Sequence, residues 1–240
     1  MKKKIVVFTG AGVSQESGIP TFRDNDGMWN KHIANEVASM SGWRKNPEKV
    51  LNFHNQFVKE FEKCEPNEAH KALARLEEKY DVTVVTQNID SLHEKGGSTN
   101  VVHVHGNISQ AKSSLNPELV YPLTGDIKIG DKCEKDSQLR HNTVLFGESL
   151  PTKEFKKAIK AMEEADILII IGSSLVVTPA ADLIGYFNFC ESIQDYKEGK
   201  FNPVYIVDPN DCNLAEAPGR TFIKEKAGVG VPKLVEDLMK

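Results

Sequence analysis

The residues able to do chemistry fall in five short groups, each directly after an apolar run: TGAG (9–12), QNID (87–90), HG (105–106), GSS (172–174) and DPN (208–210). Gly10, Gly12 and Gly18 of "GAGVSQESG" would let backbone N–H groups approach a pyrophosphate with no side chain in the way. Their spacing is not GxGxxG, so a tight turn and a nucleotide cradle both fit. Gln87, Asn88 and Asp90 crowd three polar side chains around Ile89, where any one alone would serve as a turn former. Asp208 either accepts from ribose hydroxyls or shapes a turn. In "VVHVHG" the alternation turns His103 and His105 to the same side. As a metal pair they lack a third ligand nearby. His105, nearer the strand end, suits a general base that titrates near neutrality, and His103 suits a satisfied core position.

The elements that must position these groups alternate along the chain. Five runs rich in Val and Ile read as buried strands: KIVVFTG, VTVVTQNI, NVVHVHG, DILIIIGSS and PVYIVDPN. Helical spacing marks 47–63, 66–80, 152–165, 178–193 and 231–240. Continuous apolar strands alternating with amphipathic helices predict an α/β fold with a mostly parallel sheet covered on both faces. In such a sheet ligands bind outside the carboxyl ends of the strands, so the five groups should converge on one crevice. The stretch 108–143 is polar and turn-rich, and reads as a small module inserted in a single domain spanning 1–240.

Composition narrows the classes of partner. The chain has 240 residues, 40% hydrophobic and 27% charged, with a formal net charge of −4, which lacks the basic excess of a nucleic-acid binder. "MKKK" precedes an apolar run too short for a signal peptide, and no stretch nears the roughly 20 residues that span a bilayer. Cys64, Cys133, Cys190 and Cys212 form no CxxC pair, so neither a disulfide framework nor a metal knuckle is signalled and a reducing cytoplasm fits best.

With these residues in view the chain resembles the sirtuin family of NAD-dependent protein-lysine deacylases, and its bacterial branch in particular. The motifs are GAGVSQESGIPTFRD, TQNIDSLHEKGG, VHVHG, FGESLP, ADILIIIGSSLVVTPAA and VPKLVEDL, in family order from Lys4 to the C-terminus. The resemblance implies a Rossmann-like sheet and a monomer that takes NAD as co-substrate and acyl-lysine proteins or peptides as substrate, with no nucleic-acid or membrane partner. It implies that Ala11, Gly12, Ile19, Phe22 and Arg23 form a cofactor loop, with Phe22 shielding the reactive ribose carbon and Arg23 near the phosphates. Gln87, Asn88, Ile89 and Asp90 would line the nicotinamide and ribose pocket, with His105 and Asn88 catalytic. Gly172, Ser173 and Ser174 would hold phosphates and ribose, and Asp208, Asn210 and Ala227 the adenosine end. Val144, Phe146 and Gly147 would form the acyl-lysine tunnel and pair with the substrate backbone as an added strand. The implied reaction has the acyl-amide oxygen attack the ribose carbon bearing nicotinamide, after which His105 deprotonates a ribose hydroxyl.

Two departures matter. Family members usually carry two cysteine pairs that bind zinc, whereas here QAKSSLNPELVYPL stands in place of the first pair and Cys133 alone in place of the second, so no zinc is expected. A module without metal would be held by apolar contacts from ELVYPL. Acid-selective relatives carry a Tyr and an Arg where an ungapped count from Trp29 places His54 and Phe57, so a neutral acyl group is expected. Related readings are ADP-ribosyl transfer, NAD hydrolysis and a non-catalytic NAD-binding module.

Overall fold

The structure is a computed structural model that describes residues 2–21, 35–212 and 214–240. Phe22, Arg23 and Trp29 therefore lie outside the described residues.

The strands are β1 (Lys4–Thr9), β2 (Asp81–Thr86), β3 (Val101–His103), β4 (Gly106–Ser113), β5 (Val120–Pro122), β6 (Leu139–Thr143), β7 (Ile167–Ile171), β8 (Val204–Val207) and β9 (Arg220–Ile223). Six of them form one sheet in the order β3-β2-β1-β7-β8-β9, with every pairing parallel. The chain builds outward from β1 through β2 and β3 on one side and from β7 to β9 on the other. The strand order therefore reverses between β1 and β7, which is where an open α/β sheet opens a crevice.

Strand alternation assigns the two faces. Ile5, Val7, Val84 and Ile169 turn to a core shared with Leu73, Leu76, Val231 and Val235. Val6, Phe8, Leu168 and Ile170 turn to another with Ala158, Met162 and Leu183. The covering helices are α1 (Met40–Lys45), α2 (Pro47–Phe61), α3 (Glu68–Arg75), α4 (Leu92–Lys95), α5 (Thr152–Glu164), α6 (Ile193–Glu198) and α7 (Ala227–Met239). Asn46 accepts from Lys49 N with Pro47 in the first turn of α2, and Asn67 and His70 form a reciprocal cap on α3. No helix among the described residues is long and apolar enough to cross a membrane.

Three expectations are corrected. The stretch 178–193 is not an α-helix. It forms a 3-10 segment, Ala180–Tyr186, that ends before Phe187, and α6 begins only after Ser192, whose side chain accepts from Asp195 N. Helix α7 starts at Ala227, four residues before the expected Val231, and takes Pro232 inside it. The sixth strand, β9, was not expected because "RTFI" is short and half polar, as an edge strand can be.

The small module is a three-stranded antiparallel sheet, β5-β4-β6. Leu51, Ala111 and Ile127 form a buried cluster joined by Trp43, Tyr121 and Leu123, so the ELVYPL segment does supply apolar anchors. The Asn55 side chain also exchanges two hydrogen bonds of 2.9 Å with the Ile127 backbone, tying α2 to the module.

Candidate active site

The loop after β1 crosses the end of β7. Gly10 N donates to Ile171 O and Gly12 N to Gly172 O, both at 3.0 Å. The approach is close enough that a Cβ on Gly10 would lie 2.7 Å from Gly172 O, and one on Gly12 2.7 Å from Gly172 Cα. Gly172 itself has φ +56°, and a Cβ there would meet Val13 N at 2.5 Å. The loops after β1 and β7 thus pack main chain against main chain, with the Gly10, Gly12 and Gly172 N–H groups spent on carbonyls, and the glycines serve this close approach, which a side chain would force apart. Gly172→Ala should lower NAD affinity more than about tenfold, and the left-handed backbone alone costs about 1–3 kcal/mol in stability. Calorimetric titration with NAD and a thermal melt check this. An unchanged Kd would remove this loop pair from the binding site.

Hydroxyls tie the first two strand ends together. Thr9 Oγ1 lies 2.8 Å from Thr86 Oγ1, which accepts from Asn88 N at 3.0 Å. The Asn88 amide donates to Ser14 Oγ at 3.1 Å, and Ser14 Oγ donates to Asp90 Oδ2 at 3.1 Å. Asp90 is buried, which pushes its carboxyl up, while Leu92 N and Ser14 oppose the shift as donors. Gln87 Nε2 donates to Ser173 Oγ at 2.9 Å, joining the QNID group to the GSS group. Ser14 is thus a bridge that sequence reasoning did not single out. The motif contains it, but a serine in a glycine loop carries no signal until the strand ends meet.

The two histidines grip successive carbonyls. His105 Nδ1–H donates to Gln87 O at 2.9 Å and His103 Nδ1–H to Asn88 O at 3.0 Å. Burial lowers the pKa of His105, opposed by its bond to Gln87 O, so its Nε2 keeps a lone pair at neutral pH. His103 differs: burial would lower its pKa, but Glu94 Oε1, 2.7 Å from Nε2, raises it on balance.

The remaining expected residues divide. Ile19 and Phe57 are buried together with Leu92 and Ile108, with Ile89 packed against them. Ala11 is half-buried, and Ser174 follows Ser173 in the loop after β7. Asp208 Oδ1 accepts from Asn210 N at 2.8 Å, which is the turn-forming role, and Asn210 is exposed. Ala227 is buried in the same core as Val13, and the next residue's N–H donates to Glu16 Oε2 at 2.7 Å, so α7 docks on the loop after β1.

Val144 N donates to His105 O at 2.9 Å. Phe146 is exposed, but its N–H donates to Ala38 O and its carbonyl accepts from Met40 N, so these groups are spent and cannot pair with an added strand. Gly147, exposed with φ +85°, is the neighbouring position left at that edge. His54 donates from Nδ1 to Val50 O and reaches Thr143 Oγ1 with Nε2 at 3.3 Å, and burial lowers its pKa to about 4.

The position of the family's zinc does not fit that metal. Ser113 Oγ and Ser137 Oγ are 2.5 Å apart and Cys133 Sγ is 3.3 Å from Ser137 Oγ, so a hydroxyl-thiol cluster occupies the place of a thiolate tetrad. Among the described residues no three His, Cys, Asp or Glu are grouped to hold a metal.

A parallel sheet with a glycine-rich turn at its switch point and a neutral histidine just past a neighbouring strand end is an arrangement found in nucleotide-using α/β enzymes. The Sir2 family model matches residues 10–179. An NAD-dependent protein deacylase of Helicobacter pylori is 43% identical over 238 residues, covering 98% of each chain. A solved Sir2 homolog–NAD complex superposes with a TM-score of 0.82 at 35% identity, covering 99% of this chain and 90% of that one. Another, Sir2Tm bound to a propionylated peptide, gives 0.75 at 28% identity, covering 99% and 94%. The chain belongs to the Sir2 family.

Proposed function

We propose that the protein removes acyl groups from lysine side chains in an NAD-dependent reaction, with a neutral acyl group such as acetyl preferred. The observation that carries this is the double engagement of His105. Its ring hangs on Gln87 O at the cofactor crevice, while its own carbonyl holds Val144 N at the start of the FGE loop. A base held at that junction can serve a reaction between a nucleotide and an acyl-lysine.

Bound NAD would supply a ribose carbon carrying a cationic leaving group, and the loops after β1 and β7 would hold its phosphates. Asn88 is kept in place by Ser14 and Thr86 to face the ribose end. His105 Nε2, unprotonated at neutral pH, takes a proton from a hydroxyl brought to it. At the acyl end His54 is neutral and Phe57 apolar, so neither offers a carboxylate a cation. We further read the active unit as a monomer working in the cytoplasm, on proteins or peptides and not on nucleic acid or membranes; a net charge of −4 supports the exclusion of nucleic acid and the free thiols support the compartment.

Incubation with NAD and a panel of acyl-lysine peptides, read by mass spectrometry, tests the proposal. The expected result is an O-acyl-ADP-ribose product, with succinyl-lysine at least about tenfold poorer in kcat/KM than acetyl-lysine. Nicotinamide release with no acylated product would replace the reading by ADP-ribosyl transfer or NAD hydrolysis.

A further inference from the structure

The small module lacks a metal donor set, yet it carries two buried cations with a shared target. Arg140 on β6 and Lys112 on β4 both have side chains only 4% exposed, and both meet Glu148 Oε1 of the FGE sequence, Lys112 at 3.3 Å. The Arg140 guanidinium has two engagements on one loop. Its Nη1 donates to Thr143 O at 2.9 Å and its Nη2 to Glu148 Oε1, so it closes the ends of the segment 143–148. Inside the closed loop Glu148 Oε2 accepts from Leu145 N at 3.0 Å, and Glu148 N donates to Leu145 O at 2.9 Å. The Trp43 ring lies 6.0 Å beneath the guanidinium carbon.

We propose that Arg140 is a positioning residue for the acyl-lysine, acting as a staple through which the small module holds the substrate loop in its binding shape. The inference rests on the reading of Val144 to Gly147 as the acyl-lysine site. Those residues lie between the two points that the guanidinium joins, and two of them are pinned, Val144 N to His105 O and Phe146 N to Ala38 O. A planar fork reaches two acceptors at fixed spacing, which an ammonium cannot do, so the role depends on shape as well as charge. The module thereby acquires a function in catalysis that needs no metal: β4 and β6 deliver buried cations to a loop that would otherwise be free to change shape.

Arg140→Lys tests this, because it keeps the charge and breaks the bridge. The peptide KM should rise about tenfold while the NAD KM stays within about twofold, and amide exchange at Leu145 and Glu148 should accelerate. Equal rises in both KM values, or an unmoved peptide KM, would overturn the proposal, as would unchanged exchange at the two amides. Should Arg140→Lys fail to accumulate as folded protein, Glu148→Gln reads the same bridge with its shape retained, and its peptide KM should rise about threefold with no change for NAD. If the unaltered protein turns over no acyl-peptide, the functional reading fails on its own. The staple is then judged by amide exchange alone, where acceleration supports it and no change rejects it.

Discussion

His105→Ala should lower deacylation about 10²–10⁴-fold, the range associated with loss of a positioned general base, while the protein stays folded and still binds NAD. The ring is half-buried in the turn between β3 and β4, outside both main cores, so its loss opens no large cavity. It does remove the donor to Gln87 O, and a displaced Gln87 could reduce activity with no proton transfer involved. His105→Asn separates the two roles. An amide can still donate to Gln87 O, but it is no base, so the variant should be as inactive as the alanine one. Recovery to within about tenfold of the unaltered rate would make the ring a support and not a base. The pH profile adds an independent check. Burial lowers the pKa of His105, so the acid limb of kcat/KM should fall below the ordinary 6.5 and leave the rate flat across neutrality.

The sheet was legible because its strands are buried on both faces and read as unbroken apolar runs, each closed by a polar group. The convergence of those groups followed from parallel topology alone, and Gln87 to Ser173 and Asn88 to Ser14 to Asp90 are contacts of the kind it demands. Edge elements were harder, since β9 places Thr221 at an exposed position and carries no strong pattern. The segment at 178–193 shows the opposite failure. Its apolar spacing matched a helix, but Gly185 and Asn188 punctuate it, and only 3-10 turns form before Phe187 packs against the sheet. Cys133 gains partners that spacing could not provide. Its sulfur lies against Ser137, which lowers its pKa to about 7, and Ser137 meets Ser113 across the module. Arg140 carries no signal of its own in a polar, turn-rich stretch. Its burial is visible only once β6 is paired with β4 and Glu148 folds back beneath it.

Stability should fall steeply in mild acid, by about 4 kcal/mol between pH 6.5 and about pH 5.5. Burial lowers the pKa of His54 to about 4, of His70 to about 4 and of His141 to about 3, and holds His93 well below 6.5. The cause is structural. His70 Nε2, His93 Nδ1 and His141 Nε2 are buried with no hydrogen-bond partner among the described residues, and the rings pair, His70 edge-on with His93 and His54 stacked with His141. A proton added to either pair would place charge beside another imidazole in an apolar setting. The unfolded chain titrates all four near 6.5, so below that pH it binds protons the folded chain refuses, and the folded state loses ground as pH falls toward the lowered values. Each site contributes about 1 kcal/mol over that unit of pH, and a domain of typical stability holds only about 5–15 kcal/mol. Two groups oppose the trend: the carboxyl of Asp90, which burial raises, and His103, which Glu94 raises against the effect of burial. They are outnumbered, and His105 adds to the loss. Thermal melts at matched ionic strength should show the fall, with Tm dropping about 8–16 °C over the same interval. His141→Gln, which removes one titrating ring, should flatten the slope by about a quarter. A Tm that stays level from pH 7 to about pH 5.5 would mean that these rings find acceptors on protonation, and would return them to the ordinary range of histidine.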